Sequence, residues 1–326
     1  MSHKELPLVL VLGSPLVLTM FEDRFTQRFR ILKASDSDLP LDQFLASSSH
    51  ARSATALLCA GFRVSGETIG QLPSLGLVVT ASAGVNHIDV SECRRRGIVI
   101  ADSGESLSED VADMAVGLLI DVCRKISAAD RYLRKGNWAA FGDFPLAASK
   151  LGGKRVGIVG LGRIGSEVAK RLEVFGCKIS YNSRKKKDSV TYPFYIHVHE
   201  LAANNDAIVV CCGLSDQTRH MIDKKVLLAL GKEGVIVNVA RGEVINEKEM
   251  IQCLLQGEIG GAGLDVFEDE PNVPKELFGL DNVVLSPHNA VLTPDSFESL
   301  CEVTIRNLEA FFSKKPLLSE LVRVEI

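Results

Sequence analysis

The sequence predicts an α/β protein with two domains, each built on a parallel sheet. Its 326 residues exceed the size at which one hydrophobic core usually stops growing. Short apolar runs alternate with helical segments along the first hundred residues and again from Lys154 onward, a pattern typical of parallel sheets. A glycine-rich turn at residues 160–165 joins a predicted strand to a predicted helix. These observations favour two sheets covered by helices.

Composition and charge exclude several other classes of protein. Hydrophobic residues make up 46% and charged residues 24% of the chain, as in globular rather than disordered proteins. The formal net charge of -4 gives no general basic surface for nucleic acid. No apolar stretch is long enough to cross a bilayer. We therefore expect no nucleic-acid partner and no membrane association.

The cysteines and the N-terminal residues favour the cytoplasm. Eight cysteines lack the paired spacing of zinc sites, so we interpret them as reduced thiols and predict no metal site. His197 and His199 would share one face of a strand, but a third ligand is missing nearby. An apolar run begins at Leu8, which leaves no room for a cleavable targeting segment ahead of it.

The first region should form a small parallel sheet followed by a long helix. Apolar residues recur at helical spacing from Val111 to Val122, with Ser108 as a candidate N-cap, and predict a helix over Ser108–Ile126. Ala46–His50 is interpreted as a solvated loop. The predicted strands are Leu8–Leu12, Ala56–Cys59, Leu77–Thr80 and Ile98–Ala101.

The second sheet begins after Lys154. Arg155–Val159 is a predicted strand, and Ile164–Phe175 is the helix that follows the glycine-rich turn. An amphipathic helix is predicted over Thr293–Phe312. Further predicted strands are Lys178–Tyr181, Ala207–Cys211, Val235–Val239, Gly261–Asp265 and Val283–Leu285.

The glycine-rich turn indicates a dinucleotide site. Gly160 would allow the tight turn, Gly162 would let the backbone approach a pyrophosphate, and Gly165 would permit close contact between helix and strand. The helix N-terminus adds unpaired amides and a positive dipole end. Because the flanking strand and helix are both in place, dinucleotide binding is favoured over a purely structural turn.

The residues after the next strand favour NADPH as the cofactor, with NADH as a second choice. A cofactor without a 2′-phosphate is normally met by an acidic side chain about 20 residues beyond the turn. This chain instead has Asn182, Ser183, Arg184 and Lys185 there, and a guanidinium beside a hydroxyl can pair with a phosphate. The alternative is that Arg184–Lys187 is a solvated turn, which leaves the preference open.

Three polar residues that follow predicted strands are candidates for catalysis. Reduction of a 2-keto acid needs an anchor for the carboxylate and an acid that protonates the carbonyl oxygen. The fork of Arg241 suits the first role and the imidazole of His288 the second, while the carboxylate of Glu270 would orient the ring. Each residue alone also fits a surface turn or a packed loop. Their joint position at strand ends favours catalysis.

Four ordered motifs carry a resemblance to a known family. They are Gly160-Leu161-Gly162-Arg163-Ile164-Gly165, Asn238-Val239-Ala240-Arg241-Gly242, the run from Gly261 to Pro271, and Ser286-Pro287-His288. Over nearly its whole length the chain resembles the D-isomer-specific 2-hydroxyacid dehydrogenase family, and within it the plant-type glyoxylate/hydroxypyruvate reductase branch. The resemblance implies NADPH-dependent reduction of hydroxypyruvate to D-glycerate and of glyoxylate to glycolate.

The same resemblance implies the fold and the assembly. It implies two Rossmann-like domains with a cleft between them. A flavodoxin-like substrate domain would comprise residues 1–102 and 292–326, with an inserted NAD(P)-binding Rossmann domain at residues 103–291. Members of the family are usually homodimers paired through the cofactor domains, which here implies the Ser108–Ile126 helix and the arm around Trp138.

Finally, the resemblance implies roles for individual residues. Arg241 would anchor the substrate, Glu270 would pair with the histidine, and His288 would donate the proton. Backbone amides of the loop Ser82–Asn86 would cradle the substrate carboxylate, so Ala83 and Gly84 join Arg241 and His288 as substrate contacts. Asp265 would face the nicotinamide carboxamide, and Ser183 and Arg184 would hold the 2′-phosphate. The implied cofactor contacts are Gly160, Gly162, Arg163, Ile164, Gly165, Ser183, Arg184, Lys185, Cys211, Thr218, Val239, Ala240, Asp265 and Ala290.

Two departures from the family pattern concern the cofactor contacts, and two alternative functions stay open. Val291 stands where many relatives carry a hydroxyl, and Cys211–Leu214 replaces a proline-containing cofactor loop. The same machinery could reduce bulkier acids such as hydroxyphenylpyruvate, with Phe62 and Arg63 as candidate pocket residues and His87 tuning specificity. A dinucleotide-sensing binding protein of the same fold is the other alternative.

Overall fold

The chain folds into two compact units within the residues that the computed structural model describes, 5–144 and 149–322. The first unit joins the described residues up to Leu107 with those from Thr293 onward. The second unit runs from Ser108 to Leu292. Each unit is built around its own sheet, so the predicted α/β class with two parallel-sheet domains is confirmed.

Strands and helices alternate along most of the chain. The strands are β1 (Leu8–Val11), β2 (Arg30–Lys33), β3 (Ala56–Cys59), β4 (Leu77–Thr80), β5 (Val99–Ala101), β6 (Arg155–Val159), β7 (Lys178–Asn182), β8 (Phe194–Tyr195), β9 (Ala207–Val210), β10 (Val235–Asn238), β11 (Gly261–Leu264), β12 (Val283–Leu285) and β13 (Glu320–Val322). The helices are α1 (Leu16–Met20), α2 (Glu22–Thr26), α3 (Leu41–Ser47), α4 (Ser49–Ser53), α5 (Gly66–Gly70), α6 (Val90–Arg95), α7 (Ser108–Arg124), α8 (Ile126–Arg134), α9 (Asn137–Phe141), α10 (Arg163–Val174), α11 (Val198–Ala203), α12 (Lys224–Leu230), α13 (Glu247–Leu255) and α14 (Pro294–Phe312). Across the described ranges, none of these helices combines the length and the apolar composition that a bilayer crossing needs.

The sheet of the first unit has the strand order β13-β5-β4-β3-β1-β2. Strands β1 to β5 are parallel, and β13 pairs antiparallel with β5. The central strands β3 and β4 are fully buried, as expected for parallel strands covered by helices on both faces. The edge strands β2 and β13 were not predicted, since neither carries a continuous apolar run.

The sheet of the second unit is parallel throughout, in the order β12-β11-β10-β9-β6-β7-β8. From β6 the chain moves outward to β7 and β8, then returns to β9 on the other side of β6. The strand order therefore reverses between β6 and β9. Open parallel sheets bind ligands at the carboxyl ends of the strands beside such a reversal. In this chain, Gly160 and Cys211 follow the two strands concerned.

Helix α7 packs on α10, β10 and β11 and buries the apolar stripe from Val111 to Val122. The predicted helix over Ser108–Ile126 is wrong at its end. Helix α7 stops at Arg124, Lys125 adopts a left-handed conformation with φ 52°, and α8 begins at Ile126. The Asp121 carboxylate fixes the break by accepting hydrogen bonds from the amide and hydroxyl of Ser127.

The solvated loop predicted at Ala46–His50 is also wrong. Its first two residues end α3, and Ser49 and His50 begin α4. The Ser48 hydroxyl between them accepts a hydrogen bond from the Ala51 amide at 3.2 Å and caps α4. Serines that cap a short helix look like loop residues in the sequence, because both roles favour the same side chain.

Candidate active site

The turn after β6 has the shape that a dinucleotide phosphate requires. Gly160 has φ 94°, and a Cβ atom there would lie 2.7 Å from the Cys212 backbone. A Cβ at Gly165 would overlap the carbonyl oxygen of Gly160, whereas one at Gly162 would meet open space. Helix α10 begins at Arg163 without a side-chain cap and without an acidic residue in its first turn. Its N-terminal amides and its dipole therefore suit an anion at this position.

The loop after β7 presents cationic side chains on a fixed backbone. The side-chain amide of Asn182 donates to the backbone carbonyls of Tyr195 and Ile196. The Tyr181 hydroxyl accepts a hydrogen bond from the backbone amide of Lys187 at 2.8 Å. Arg184 and Lys185 between these anchors are exposed. Across residues 5–144 and 149–322, neither forms an ion pair, so both cations are available to a phosphate group.

The loop after β9 is shaped by Thr218. Its hydroxyl donates to the Gly213 carbonyl and accepts from the Ser215 amide, both at 2.8 Å. The Thr218 hydroxyl therefore stabilises its own loop. The sequence did not predict this structural role. Cys211 and Cys212 are half-buried at the base of the loop, and burial raises the pKa of both thiols. They pack against the two cores of the second unit.

Arg241 follows β10 in a turn that Asn238 builds. The buried Asn238 side chain accepts from the Ala240 amide at 3.0 Å and donates to the Arg241 carbonyl at 2.9 Å. Burial lowers the pKa of Arg241, while the nearby carboxylates of Glu270 and Glu243 act in the opposite direction. A guanidinium that is largely withdrawn from water attracts an anion strongly, because water screens its charge poorly.

Gly242 lets the Arg241 turn approach the loop after β11. A Cβ atom at residue 242 would overlap the backbone of Phe267. The Phe267 amide in turn donates to Oε1 of Glu270 at 3.0 Å. This close approach explains why a glycine follows the arginine, and it brings the loop that carries Glu270 next to Arg241.

Glu270 and His288 form a hydrogen-bonded pair. Nδ1 of His288 lies 2.7 Å from Oε2 of Glu270. The His288 side chain is 44% exposed and the Glu270 side chain is 35% exposed, so solvent reaches the imidazole ring. Within the described residues Nε2 of His288 has no hydrogen-bond partner, which leaves this nitrogen for a ligand.

Asp265 organises the turn that carries His288. The Asp265 carboxylate, which is 1% exposed, accepts from the Ser286 hydroxyl at 2.6 Å, the Asn289 amide at 3.0 Å and the Ala290 amide at 3.3 Å. Its carbonyl accepts from the amide of His288, whose φ is 51°. We call residues 286–290 with Asp265 the Asp265 turn. The sequence did not predict this role, since the resemblance implied a cofactor contact for Asp265.

The other predicted contacts divide between the two units. Val239, Ala240 and Ala290 are buried in the second unit close to the residues just described. The loop with Ala83 and Gly84 follows β4 in the first unit, and the Ser82 hydroxyl donates to the Gly84 carbonyl at 2.9 Å. His197 and His199 are exposed, and the described residues contain no cluster of three metal-ligating side chains.

The three candidate catalytic residues thus lie on the same edge of one sheet as the glycine-rich turn. Arg241 follows β10, Glu270 lies in the loop after β11, and His288 follows β12. The structure brings a cation, a carboxylate and an imidazole to one edge, although 47 residues separate the first from the last in the sequence. Such a set can bind an anionic carbonyl compound and transfer a proton to it.

Comparison with known proteins identifies the family. The family model "D-isomer specific 2-hydroxyacid dehydrogenase, NAD binding domain" matches residues 116–290. Glyoxylate/hydroxypyruvate reductase HPR3 of Arabidopsis thaliana is 54% identical over 321 residues, 98% of each chain. Hydroxyphenylpyruvate reductase of Plectranthus scutellarioides is 42% identical over 304 residues, 93% of this chain and 96% of that one. A solved NADPH-dependent glyoxylate/hydroxypyruvate reductase of Sinorhizobium meliloti, in complex with NADP and malonate, is 33% identical with a TM-score of 0.88, covering 98% of this chain and 97% of that chain. The chain therefore belongs to the D-isomer specific 2-hydroxyacid dehydrogenase family.

Proposed function

We propose that the protein is an NADPH-dependent reductase that converts hydroxypyruvate to D-glycerate and glyoxylate to glycolate. One observation carries the proposal: Nδ1 of His288 lies 2.7 Å from the Glu270 carboxylate, on the sheet edge that also carries the desolvated guanidinium of Arg241. This set supplies the anchor and the acid that a 2-keto acid needs. The names of the plant and bacterial relatives support the same two substrates.

The residues of this chain would divide the reaction between them. The nicotinamide cofactor would supply the hydride that adds to the keto carbon. Arg241 binds the substrate carboxylate and keto oxygen, and its planar fork fixes their orientation. His288 donates the Nε2 proton to the keto oxygen, which becomes the hydroxyl oxygen of the product. Glu270 accepts from Nδ1, so it orients the ring and offsets the charge of the imidazolium.

Three features of the second unit support NADPH as the cofactor. Open space at Gly162 and the uncapped start of α10 fit a pyrophosphate. Arg184 and Lys185 are exposed beside the Ser183 hydroxyl and fit a 2′-phosphate. The segment from Asn182 to Lys187 contains no carboxylate that would repel that phosphate.

The size of the substrate distinguishes this proposal from the alternative with bulkier acids. Identity to the glyoxylate/hydroxypyruvate reductase exceeds identity to the hydroxyphenylpyruvate reductase, which favours the smaller acids. In the first unit the Phe62 ring packs against Gly13, where an added Cβ would lie 3.0 Å away, while Arg63 is exposed. A Phe62 ring held in this way is a candidate to limit substrate size.

A matrix of initial rates tests the proposal. NADPH and NADH are each combined with hydroxypyruvate, glyoxylate, pyruvate and hydroxyphenylpyruvate, and cofactor oxidation is followed at 340 nm. We expect NADPH with hydroxypyruvate or glyoxylate to give the highest kcat/KM. A higher value with hydroxyphenylpyruvate would favour the bulkier substrate class. Tight NADPH binding without oxidation under any combination would favour the sensing protein.

We further propose a homodimer that works in a reducing compartment such as the cytoplasm. Helices α8 and α9 expose Leu133, Trp138 and Phe141, and the Phe141 side chain is 78% exposed. Exposed apolar clusters of this kind commonly form interfaces. The eight cysteines are all free thiols, which suits a reducing environment. Light scattering that gives twice the chain mass, and the single chain mass for Phe141→Ser, would support the dimer.

A further inference from the structure

A chain of hydrogen bonds in the first unit runs from a histidine to the loop Ser82–Asn86, which the family resemblance implies as the cradle of the substrate carboxylate. Nε2 of His87 lies 3.0 Å from the Thr80 hydroxyl oxygen. That oxygen lies 2.8 Å from the Ser82 hydroxyl oxygen, which in turn lies 2.9 Å from the Gly84 carbonyl oxygen. We call these four groups the Thr80 chain.

The number of hydrogens fixes the direction of the Thr80 chain. The Gly84 carbonyl can only accept, so the single hydrogen of the Ser82 hydroxyl is used there. The Thr80 hydroxyl must then donate its own hydrogen to Ser82. The remaining contact therefore requires a proton on Nε2 of His87. Neutral His87 in this tautomer and protonated His87 both satisfy the chain, so its direction does not change when the ring titrates.

The Thr80 chain is anchored in the core of the first unit at one end and reaches an exposed loop tip at the other. Thr80 is fully buried, and the Sγ atom of Cys59, also buried, lies 3.8 Å from Nε2 of His87. The His87 carbonyl accepts from the Val64 amide at 2.8 Å, which fixes the backbone beside the ring. Ala83 at the tip is exposed.

The tip carries amides without acceptors. In the part of the chain that the structure describes, no oxygen accepts a hydrogen bond from the amides of Ala83 and Gly84. The Ser82 hydroxyl restrains the Gly84 carbonyl and with it the planar Gly84–Val85 peptide, which adjoins the peptide that carries the Gly84 amide. Unpaired amides on a restrained backbone are preorganised for an anion.

We propose that His87 is a positioning residue for the substrate carboxylate. The inference rests on the proposed function, since the carboxylate that the amides of Ala83 and Gly84 would bind is that of the proposed 2-keto acid. The Nε2 proton of His87 orients the Thr80 hydroxyl, and the Ser82 hydroxyl then holds the peptide whose neighbours bind the carboxylate. In this role His87 acts on the substrate through Thr80 and Ser82, so it is a positioning residue and not a catalytic one.

Matched substitutions test the proposal by kinetics. His87→Phe and Thr80→Val break the chain with little change in volume, whereas His87→Gln keeps an N–H donor at a similar reach. A broken hydrogen bond of this type should raise the KM for hydroxypyruvate about three- to ten-fold, with kcat and the Kd for NADPH unchanged. His87→Gln should restore most of the affinity. Thr68→Val, which removes another buried hydroxyl of the first unit, is the control for a loss of stability alone.

Two kinetic results would overturn the proposal. One is an unchanged KM in both His87→Phe and Thr80→Val, with the wild-type protein active. The other is an equal rise of KM in the Thr68→Val control. Inactivity of the wild-type protein with every keto acid would instead contradict the proposed function, so the two failures are distinguishable.

The nitrogen NMR spectrum of the histidines gives a test that needs no activity. In protein labelled with ¹⁵N-histidine, the His87 signal, assigned through His87→Gln, should show a protonated Nε2. Thr80→Val should shift that signal, and Thr68→Val should leave it unchanged. An unprotonated Nε2 would reverse the direction of the chain and overturn the proposal.

Discussion

The two units hold their candidate site loops by different chemistry. In the second unit a buried carboxylate gathers three donors in the Asp265 turn, at 2.6 to 3.3 Å. In the first unit the Thr80 chain links neutral hydroxyls and an imidazole, at 2.8 to 3.0 Å. Hydrogen bonds to an ionised group are about twice as strong as neutral ones. The stronger device holds the residue that would exchange a proton, where small displacements cost the most rate.

The largest effect should come from the residue that the Asp265 turn presents. His288→Gln removes the proton donor, and we expect kcat to fall about 10²- to 10⁴-fold with the Kd for NADPH unchanged. His220→Gln is the matched control, because His220 also pairs with a carboxylate, that of Glu268, at 2.8 Å in the same unit. Steady-state kinetics and fluorescence titration measure the two quantities. An equal loss in both variants would show that His288 has no special chemical role.

Replacing Asp265 and Thr80 in turn directly tests whether the charged anchor stabilises its loop more than the neutral one. Asp265→Ala leaves the amides of Asn289 and Ala290 without an acceptor and the Ser286 hydroxyl with only Oδ1 of Asn289, and we expect it to lower the free energy of unfolding by about 2–4 kcal/mol. Thr80→Val should lower it by only about 1 kcal/mol. Urea unfolding followed by circular dichroism gives both values. If the threonine variant proved the less stable of the two, the proposed ranking of charged and neutral anchors would be wrong.

The thiols beside the two loops should differ in reactivity. Burial raises the pKa of Cys212, beside the glycine-rich turn, to about 11, and that of Cys59, beside the Thr80 chain, to about 12. A raised pKa means that the thiolate is scarce at pH 8 and increases tenfold per pH unit until the pKa is reached. We therefore expect iodoacetamide to label Cys212 about 100-fold more slowly at pH 8 than a thiol of pKa 9.0, and Cys59 more slowly still.

Mass spectrometry of labelled peptides measures both rates, and NADPH provides the control. The cofactor should protect Cys212, whose backbone closely approaches Gly160, and leave Cys59 unaffected. Labelling of Cys212 at pH 8 as fast as that of a free thiol would mean that the loop after β9 is open in solution.

Local patterns in the sequence predict most of the second sheet. Buried parallel strands are short apolar runs, so β6 was predicted to the residue and β9 and β10 to within one residue at one end. The glycine-rich turn was predictable for the same reason, because its strand, glycines and helix are contiguous. The edge strand β2 was missed because Arg30 and Lys33 interrupt its apolar pattern.

The contacts that hold the loops could not be predicted in this way. Asp265 is more than 20 residues from its partners in the Asp265 turn, and only the parallel pairing of β11 with β12 brings them together. Thr80 and His87 are close in the sequence, yet Thr80 looks like the last residue of an apolar strand. Hydroxyl directions depend on which acceptors lie within 3 Å, and no spacing rule specifies that.

The smallest effect should come from Arg184, a cation that neither the Asp265 turn nor the Thr80 chain holds in place. Arg184 lies in an exposed loop whose backbone is held by the hydroxyls of Tyr181 and Ser183 and by the side-chain amide of Asn182. Arg184→Ala should raise the KM for NADPH about tenfold, since a charge-assisted bond to an exposed phosphate is weakened by water, and should leave the KM for NADH within about twofold. Salt screens exposed charges at about 10 Å in 0.1 M solution, so the wild-type preference for NADPH should itself shrink as salt is added. Lys178→Ala, which removes another exposed cation from the start of β7, is the control and should change neither KM. An equal rise of both KM values in Arg184→Ala would show that the guanidinium stabilises the loop instead of binding the 2′-phosphate.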